Sequence, residues 1–291
     1  MSAYRGRFAP SPTGLLHFGS LVAAVASFAR ARQAGGAWLV RMDDLDPPRE
    51  LAGAAQGILA DLPYFGLIAD EPVAFQSQRQ TAYKLAIGRL CELQLAFECG
   101  CARAQLIKGK PYPGTCEQGL APGQPARSVR VRVNSTPIEF QDRLQGPIRE
   151  SLSESVGAFV IRRADGLTAY QLAVVVDDAW QGITEVFRGS DLIDSTPRQI
   201  HLQRCLQLKQ PDYAHFPVAT HADGNKLSKQ TQALPVHRDD ALPALLSAWQ
   251  FLGQLSPPTV ARRSVSQFWD WAIPAWDMNQ VPRRRSICVE G

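Results

Sequence analysis

At 291 residues, 45% hydrophobic and 20% charged, the chain has a globular composition and can bury a sizeable core, in one large domain or two modest ones. A net charge of +4 admits an anionic partner without requiring one. The first residues lack the apolar stretch of a secretory leader, and the longest apolar run, residues 21–29, is too short to cross a bilayer. Six cysteines in such a chain read as reduced thiols, not a disulfide framework, so the expected compartment is the cytoplasm.

Residues 4–9 (YRGRFA) are expected as a short strand leading into a proline-rich turn. Ser20 is the expected cap of the next helix, where Leu21, Val25, Phe28 and Arg32 fall near helical spacing, and Gly35-Gly36 is its stop. The run 37–43 (AWLVRMD) has the continuous apolar character of a buried parallel strand. Strand, helix and strand make a βαβ unit, whose right-handed crossover places a ligand at the first turn. Helices are expected over 52–64 and 77–97, followed by a loop over 98–126 with three cysteines. Residues 128–140 alternate polar and apolar and read as a strand, as do 158–163, 172–178 and 184–189. A helix is expected from Thr196, and tryptophan-bearing helical patterns cover 241–255 and 265–276. The domain reading is a catalytic unit over 1–235, with an insertion at about 98–150, and a helical subdomain over 236–291. The run Arg283, Arg284, Arg285 reads as a solvated tail.

The stretch RFAPSPTGLLHFGSL (7–21) asks what its turn holds. Gly14 and Gly19 have the spacing of a Walker loop, but Ser20 stands where the lysine should be, and there is no G-x-G-x-x-G. What remains is a helix N-terminus with His17 beside it, suited to an anionic phosphate. Alone, His17 reads equally well as a packed turn residue. A second stretch, GNKLSKQ (224–230), places two lysines around a serine and alone reads as a solvated basic loop.

Taken together, His17-Phe18-Gly19-Ser20 and Lys226-Leu227-Ser228-Lys229-Gln230 resemble the HIGH-type and KMSKS-type signatures of class I aminoacyl-tRNA synthetases. RFAPSPTG, RMDDLDPPR and AYQLAVVVDD…GITEVFRGSDL resemble the glutamyl branch, and the resemblance runs from about residue 5 to 255. It implies a Rossmann-like α/β catalytic domain with a parallel sheet, a zinc-loop insertion and a small C-terminal helical subdomain. At this length no anticodon-binding domain is expected. The implied activity is ATP-dependent activation of L-glutamate to an adenylate, with Mg²⁺ accompanying ATP. For a truncated member of the branch, the acceptor is the queuosine base of modified tRNA(Asp). A shortened conventional synthetase charging a tRNA 3′ end, and a non-catalytic RNA-binding relic, stay open beside it, although intact His17 and Lys229 count against a relic. A monomer is expected.

Adenylate formation needs little acid–base work, since the attacking carboxylate is already ionised. The enzyme must align reactants and neutralise charge. By resemblance, His17 and Lys229 are the catalytic pair, and His17, Gly19, Ser20, Lys226, Ser228 and Lys229 hold ATP. Glutamate falls to Arg7, Phe8, Ala9, Pro10, Ser11, Asp43, Tyr170 and Arg188; read without the family, Arg188 is an ordinary strand-end ion-pair partner. Asp43 stands where the family has a glutamate for the substrate ammonium. Cys99, Cys101, Tyr112 and Cys116 resemble the subfamily's zinc site, one structural ion per chain. The C-x-C spacing is shorter than usual and no histidine is near, so unliganded thiols stay open. Cys91, Cys205 and Cys288 read as structural.

Overall fold

The computed structural model describes residues 3–221 and 236–289. β1 (Arg5–Phe8) enters the proline-rich turn, α1 (Phe18–Gln33) follows, and β2 (Ala37–Met42) returns parallel to β1, with Arg5 opposite Ala37 and Phe8 opposite Val40. This is the expected βαβ unit. β2 is buried on both faces: Trp38, Val40 and Met42 are apolar on one, and on the other Leu39 lies beside the buried Arg41. Its Trp38 stacks on Phe8, meets Phe28 edge-on and donates its indole N–H to Ser27 Oγ at 2.9 Å.

Ser20 is not the cap of α1. The helix begins at Phe18 after an extended His17, because Leu21 N–H already reaches the His17 carbonyl at 2.9 Å; Ser20 Oγ instead lies 2.9 Å from His17 Nε2. At the far end Gly35 adopts φ 61°. Gly36 passes so close to Tyr4 that a Cβ would sit 2.3 Å from its carbonyl oxygen, so glycine is required there.

α2 (Ala54–Asp61), β3 (Ala74–Phe75), α3 (Gln80–Glu92) and β4 (Ala96–Cys99) follow. Both helices are shorter than the expected 52–64 and 77–97, and Gln94 at φ 57° turns the chain into β4. The alternating stretch 128–140 is two strands, β5 (Ser128–Val131) and β6 (Ile138–Asp142), in different sheets. Asn134 Oδ1 accepts the Thr136 N–H at 3.1 Å, and Pro137 has no N–H to give, so a turn breaks the run. β6 pairs antiparallel with β7 (Gly146–Glu150); the single turn α4 (Leu152–Ser155) leads to β8 (Phe159–Arg162), which joins β4 and β5 in an antiparallel sheet.

Residues 172–178, read as a strand, belong to a helix, α5 (Tyr170–Trp180). Leu172, Ala173, Val174 and Val175 are all buried, so no exposed face interrupts these four, and the buried Asp177 and Asp178 follow them. A short apolar run of this kind does not distinguish a buried helix from a buried strand. β9 (Glu185–Gly189), α6 (Thr196–Cys205) and β10 (Asp212–Phe216) form a second parallel unit, with β6 on the other side of β10. Thr184 N–H donates to the Arg5 carbonyl at 3.0 Å, bringing β9 beside β1. The buried Glu185 accepts from Tyr4 (3.0 Å) and Arg30 (2.9 Å), tying β9 to α1.

β11 (Val218–Thr220), α7 (Ala241–Phe251), α8 (Val265–Ala275) and β12 (Ser286–Cys288) complete the described chain. α7 and α8 cover α1, and Trp249, Trp269 and Trp276 share one hydrophobic core with Phe8, Phe28 and Trp38. The side chains of Arg283, Arg284 and Arg285 are exposed, but their backbone is anchored: Arg285 O accepts from Val218 N–H at 3.0 Å, and β12 runs parallel to β11. Among the described residues no helix is long and apolar enough to cross a membrane.

Candidate active site

The carboxyl ends of β1, β2, β9 and β10 open onto a cleft of about 850 Å³, where an open parallel sheet takes its ligands. Arg7 to Ser11 enter it from β1 and the turn that follows, His17, Gly19 and Ser20 from the start of α1, Asp43 from the end of β2, Tyr170 from α5 and Arg188 from β9. Every described residue that the sequence assigns to glutamate or ATP therefore lines one cavity. Lys226, Ser228 and Lys229 lie outside the described residues.

The floor carries a balanced group of charges. Arg7 meets both oxygens of Asp178 at 3.2 and 3.3 Å. Arg41, fully buried, donates Nε–H to Asp43 Oδ1 at 2.8 Å and an Nη1 hydrogen to Asp178 Oδ1 at 2.7 Å. Burial pushes the Asp43 carboxyl up to about 6, against the downward pull of Arg41. Asp178, although buried, is held below the usual carboxylate range by Arg7 and Arg41. Asp44 faces elsewhere: its two oxygens accept from Ser77 N–H (2.8 Å) and Ser77 Oγ (2.6 Å).

Arg188 is different. It is 5% exposed, and every described partner of its guanidinium is neutral. Nε–H donates to His215 Nε2 at 3.1 Å; Nη2 donates to Thr196 Oγ1 at 2.9 Å and Gln199 Oε1 at 2.8 Å. Nη1 is buried with no hydrogen-bond partner among the described residues. The ordinary strand-end ion pair is thus absent among the described residues. A buried cation at a cleft wall without a carboxylate is set to take one from outside, bidentately.

Sequence reasoning did not reach Arg41, Asp142, Asp178, Thr196, Gln199 or His215. Arg41 and Asp178 carried a signal, as charges inside apolar runs. Asp142 and His215, spread over two strands, carried none.

The thiols of Cys99, Cys101 and Cys116 lie within 4.8 Å of one another. The Tyr112 hydroxyl is 3.6 Å from Cys99 Sγ and 3.8 Å from Cys101 Sγ, and the Cys101–Cys116 sulfur separation is 3.6 Å. Tetrahedral zinc with Zn–S bonds of about 2.3 Å has S···S edges of about 3.8 Å, so the four side chains fit that ion. Arg130 donates to Cys99 Sγ at 3.3 Å and lies 4.1 Å over the Tyr112 ring. Against the burial that would raise it, hydrogen bonds from Tyr112, Cys101 and Arg130 bring the Cys99 thiol down to about 7, whereas burial raises the Cys101 thiol and the Tyr112 hydroxyl, so a metal would have to displace protons there.

A parallel α/β sheet with this cleft at its carboxyl edge is shared with known enzymes. Residues 3–251 match the tRNA synthetases of class I (E and Q), catalytic domain. The chain belongs to that family and is a ligase-type enzyme. Its similarity narrows further: the glutamyl-Q tRNA(Asp) synthetase of Dechloromonas aromatica is 52% identical over 99% of this chain and 99% of its own length. The protein of the same name from Pseudomonas fluorescens is 49% identical over 98% of this chain and 96% of its own length. In fold, the glutamate-tRNA synthetase of Elizabethkingia anophelis superposes with a TM-score of 0.83 at 20% identity, over 99% of this chain and 68% of that one.

Proposed function

We propose that the chain activates L-glutamate with ATP to glutamyl-adenylate, without tRNA, and then transfers the glutamyl group to the queuosine base in the anticodon of tRNA(Asp). Arg188 carries this reading, as a buried guanidinium without a carboxylate on the wall of a cleft whose other wall is the start of α1. The near-full-length similarity to glutamyl-Q tRNA(Asp) synthetases supports the acceptor. Arg188 takes one glutamate carboxylate, assisted by Arg7; Asp43 takes the ammonium; Tyr170 supplies a hydroxyl, and Phe8, Ala9, Pro10 and Ser11 form the near wall.

The α-carboxylate oxygen attacks the α-phosphorus of ATP, and the bond to the β-phosphate oxygen breaks, releasing pyrophosphate. His17 and the first-turn N–H groups of Gly19 and Ser20 face the triphosphate, whose Mg²⁺ arrives with it. The sequence assigns Lys226 and Ser228 to ATP and Lys229 to the leaving pyrophosphate. A hydroxyl of the queuosine cyclopentene ring then attacks the acyl carbon, AMP leaves, and an ester remains. Zinc held by Cys99, Cys101, Tyr112 and Cys116 would be structural, since four protein ligands leave no open position. The catalytic unit spans 1–235, with its insertion at about 98–150, and 236–291 is a helical, stem-contact-like subdomain and tail packed on that unit through α7, α8 and β12. The enzyme works as a cytoplasmic monomer.

The test is glutamate-dependent exchange of labelled pyrophosphate into ATP with tRNA left out. Exchange is expected, and an absolute requirement for tRNA would contradict the reading. Lys229→Ala should cut kcat by about 10²-fold or more, as loss of a transition-state charge contact does.

Asp43 adds a pH dependence. The carboxyl titrates at about 6, so it is largely ionised at neutral pH and loses its charge on acidification. The KM for glutamate should therefore rise as pH falls through about 6, and Asp43→Asn should flatten that limb at a high KM. Asp43→Ala should raise the KM similarly, because Asp44 is engaged with Ser77 and cannot replace it.

A further inference from the structure

We infer that Asp142 and His215 are positioning residues for substrate binding: Asp142 selects the His215 tautomer that presents a lone pair to Arg188, and so fixes where the guanidinium points. The inference rests on Arg188 being the glutamate-binding residue.

The chain of contacts runs through three strands. His215 on β10 is fully buried, with Nδ1 at 2.6 Å from Asp142 Oδ2 on β6. Its Nε2 lies 3.1 Å from Arg188 Nε on β9. Arg188 Nε carries a hydrogen and has no lone pair, so Nε2 must accept and Nδ1 must hold the ring proton. An imidazolium would set two donors face to face. Burial, with Arg188 alongside, lowers the His215 ring to about 4, against the upward pull of Asp142, so the ring is neutral at pH 7. Thr196 Oγ1 lies 3.2 Å from Nε2, Tyr213 stacks on the ring, and the Asp191 carboxylate also acts on it electrostatically.

Asp142 is itself fixed. Its Oδ1 accepts the backbone N–H groups of Leu144 (3.0 Å), Gln145 (2.9 Å) and His215 (3.2 Å), leaving Oδ2 for the ring. In Asp142→Asn those three donors hold the amide oxygen in place, so the amide NH₂ must face Nδ1. The ring proton then moves to Nε2 and opposes the Arg188 Nε–H. Shape and burial are conserved while one acceptor at Arg188 is lost. A buried histidine–carboxylate pair with a purely structural role would not distinguish these two tautomers.

The test uses the full chain in pyrophosphate exchange, together with ¹⁵N shifts of the histidine rings. Asp142→Asn should raise the KM for glutamate about ten- to hundred-fold, the range for a lost hydrogen bond to a charged group, while the KM for ATP stays near wild type. The His215 signal, identified by its loss in His215→Gln, should switch from the Nδ1–H to the Nε2–H pattern. If Asp142→Asn does not fold, the histidine variants decide: His215→Gln keeps an oxygen acceptor for Arg188 and should hold a lower KM for glutamate than His215→Phe. A wild-type KM in Asp142→Asn, equal KM values in the two histidine variants, or parallel losses for ATP and glutamate would overturn the inference. If the wild-type chain shows no glutamate-dependent exchange, it is the proposed activity that fails.

Discussion

Arg188→Ala should lower kcat/KM for glutamate in pyrophosphate exchange by roughly 10²- to 10³-fold, mostly through KM. Removing one partner of a desolvated, hydrogen-bonded charge pair costs about 2–5 kcal/mol, and each 1.4 kcal/mol is about tenfold. Arg188 meets the conditions for the larger values. It is 5% exposed and its described protein contacts are all neutral, so the substrate carboxylate is the counter-ion it lacks. Arg188→Lys should rescue little, because an ammonium cannot contact His215, Thr196, Gln199 and a carboxylate at once. The KM for ATP and the thermal midpoint should move far less than the KM for glutamate. An unchanged KM for glutamate in Arg188→Ala would remove Arg188 from the binding site.

Cys99→Ser and Cys116→Ser should each take zinc from one ion per chain to none and unfold the segment around it. Its buried apolar cluster is small, Phe97, Cys99, Tyr112, Cys116 and Ala158, with Cys101, Leu106 and Leu120 partly buried against it. Structural zinc sites supply folding free energy directly, about 10–16 kcal/mol in small zinc-finger peptides, so losing the ion exposes the loop. Elemental analysis reads the stoichiometry, and limited proteolysis within residues 100–127 reads the unfolding. Tyr112→Phe should weaken zinc less than either serine variant, since the thiolates supply most of the binding. No zinc above background in the native chain would refute the assignment.

What could be read in advance follows from how local each signal is. The βαβ start was legible because strand, turn, helix and strand lie within about forty consecutive residues, with Gly35-Gly36 marking the helix end. α5 was not, because Leu172, Ala173, Val174 and Val175 are four consecutive buried apolar residues, and a run of that kind shows no helical period. Family membership was legible through two separated signatures. The residues that the resemblance assigns to glutamate and ATP could be named one by one, and those described meet in a single cleft. The supports behind them could not. Arg188 contacts His215 and Gln199, and His215 contacts Asp142; the three come from β10, α6 and β6, and no linear pattern joins those positions. Likewise the turn over 134–137 splits an alternation that looks continuous until the two halves join different sheets.

The acceptor is tested most directly by presenting the chain with labelled glutamate, ATP and tRNA(Asp) in three forms. These are queuosine-containing and intact, queuosine-containing with the 3′-terminal adenosine removed, and intact but lacking queuosine. Label is expected on the first two and not on the third, held by a base-labile ester in the anticodon arm. No label on any form of tRNA(Asp), with label instead on the 3′ end of tRNA(Glu) offered in parallel, would contradict the account and identify a conventional glutamyl-tRNA synthetase.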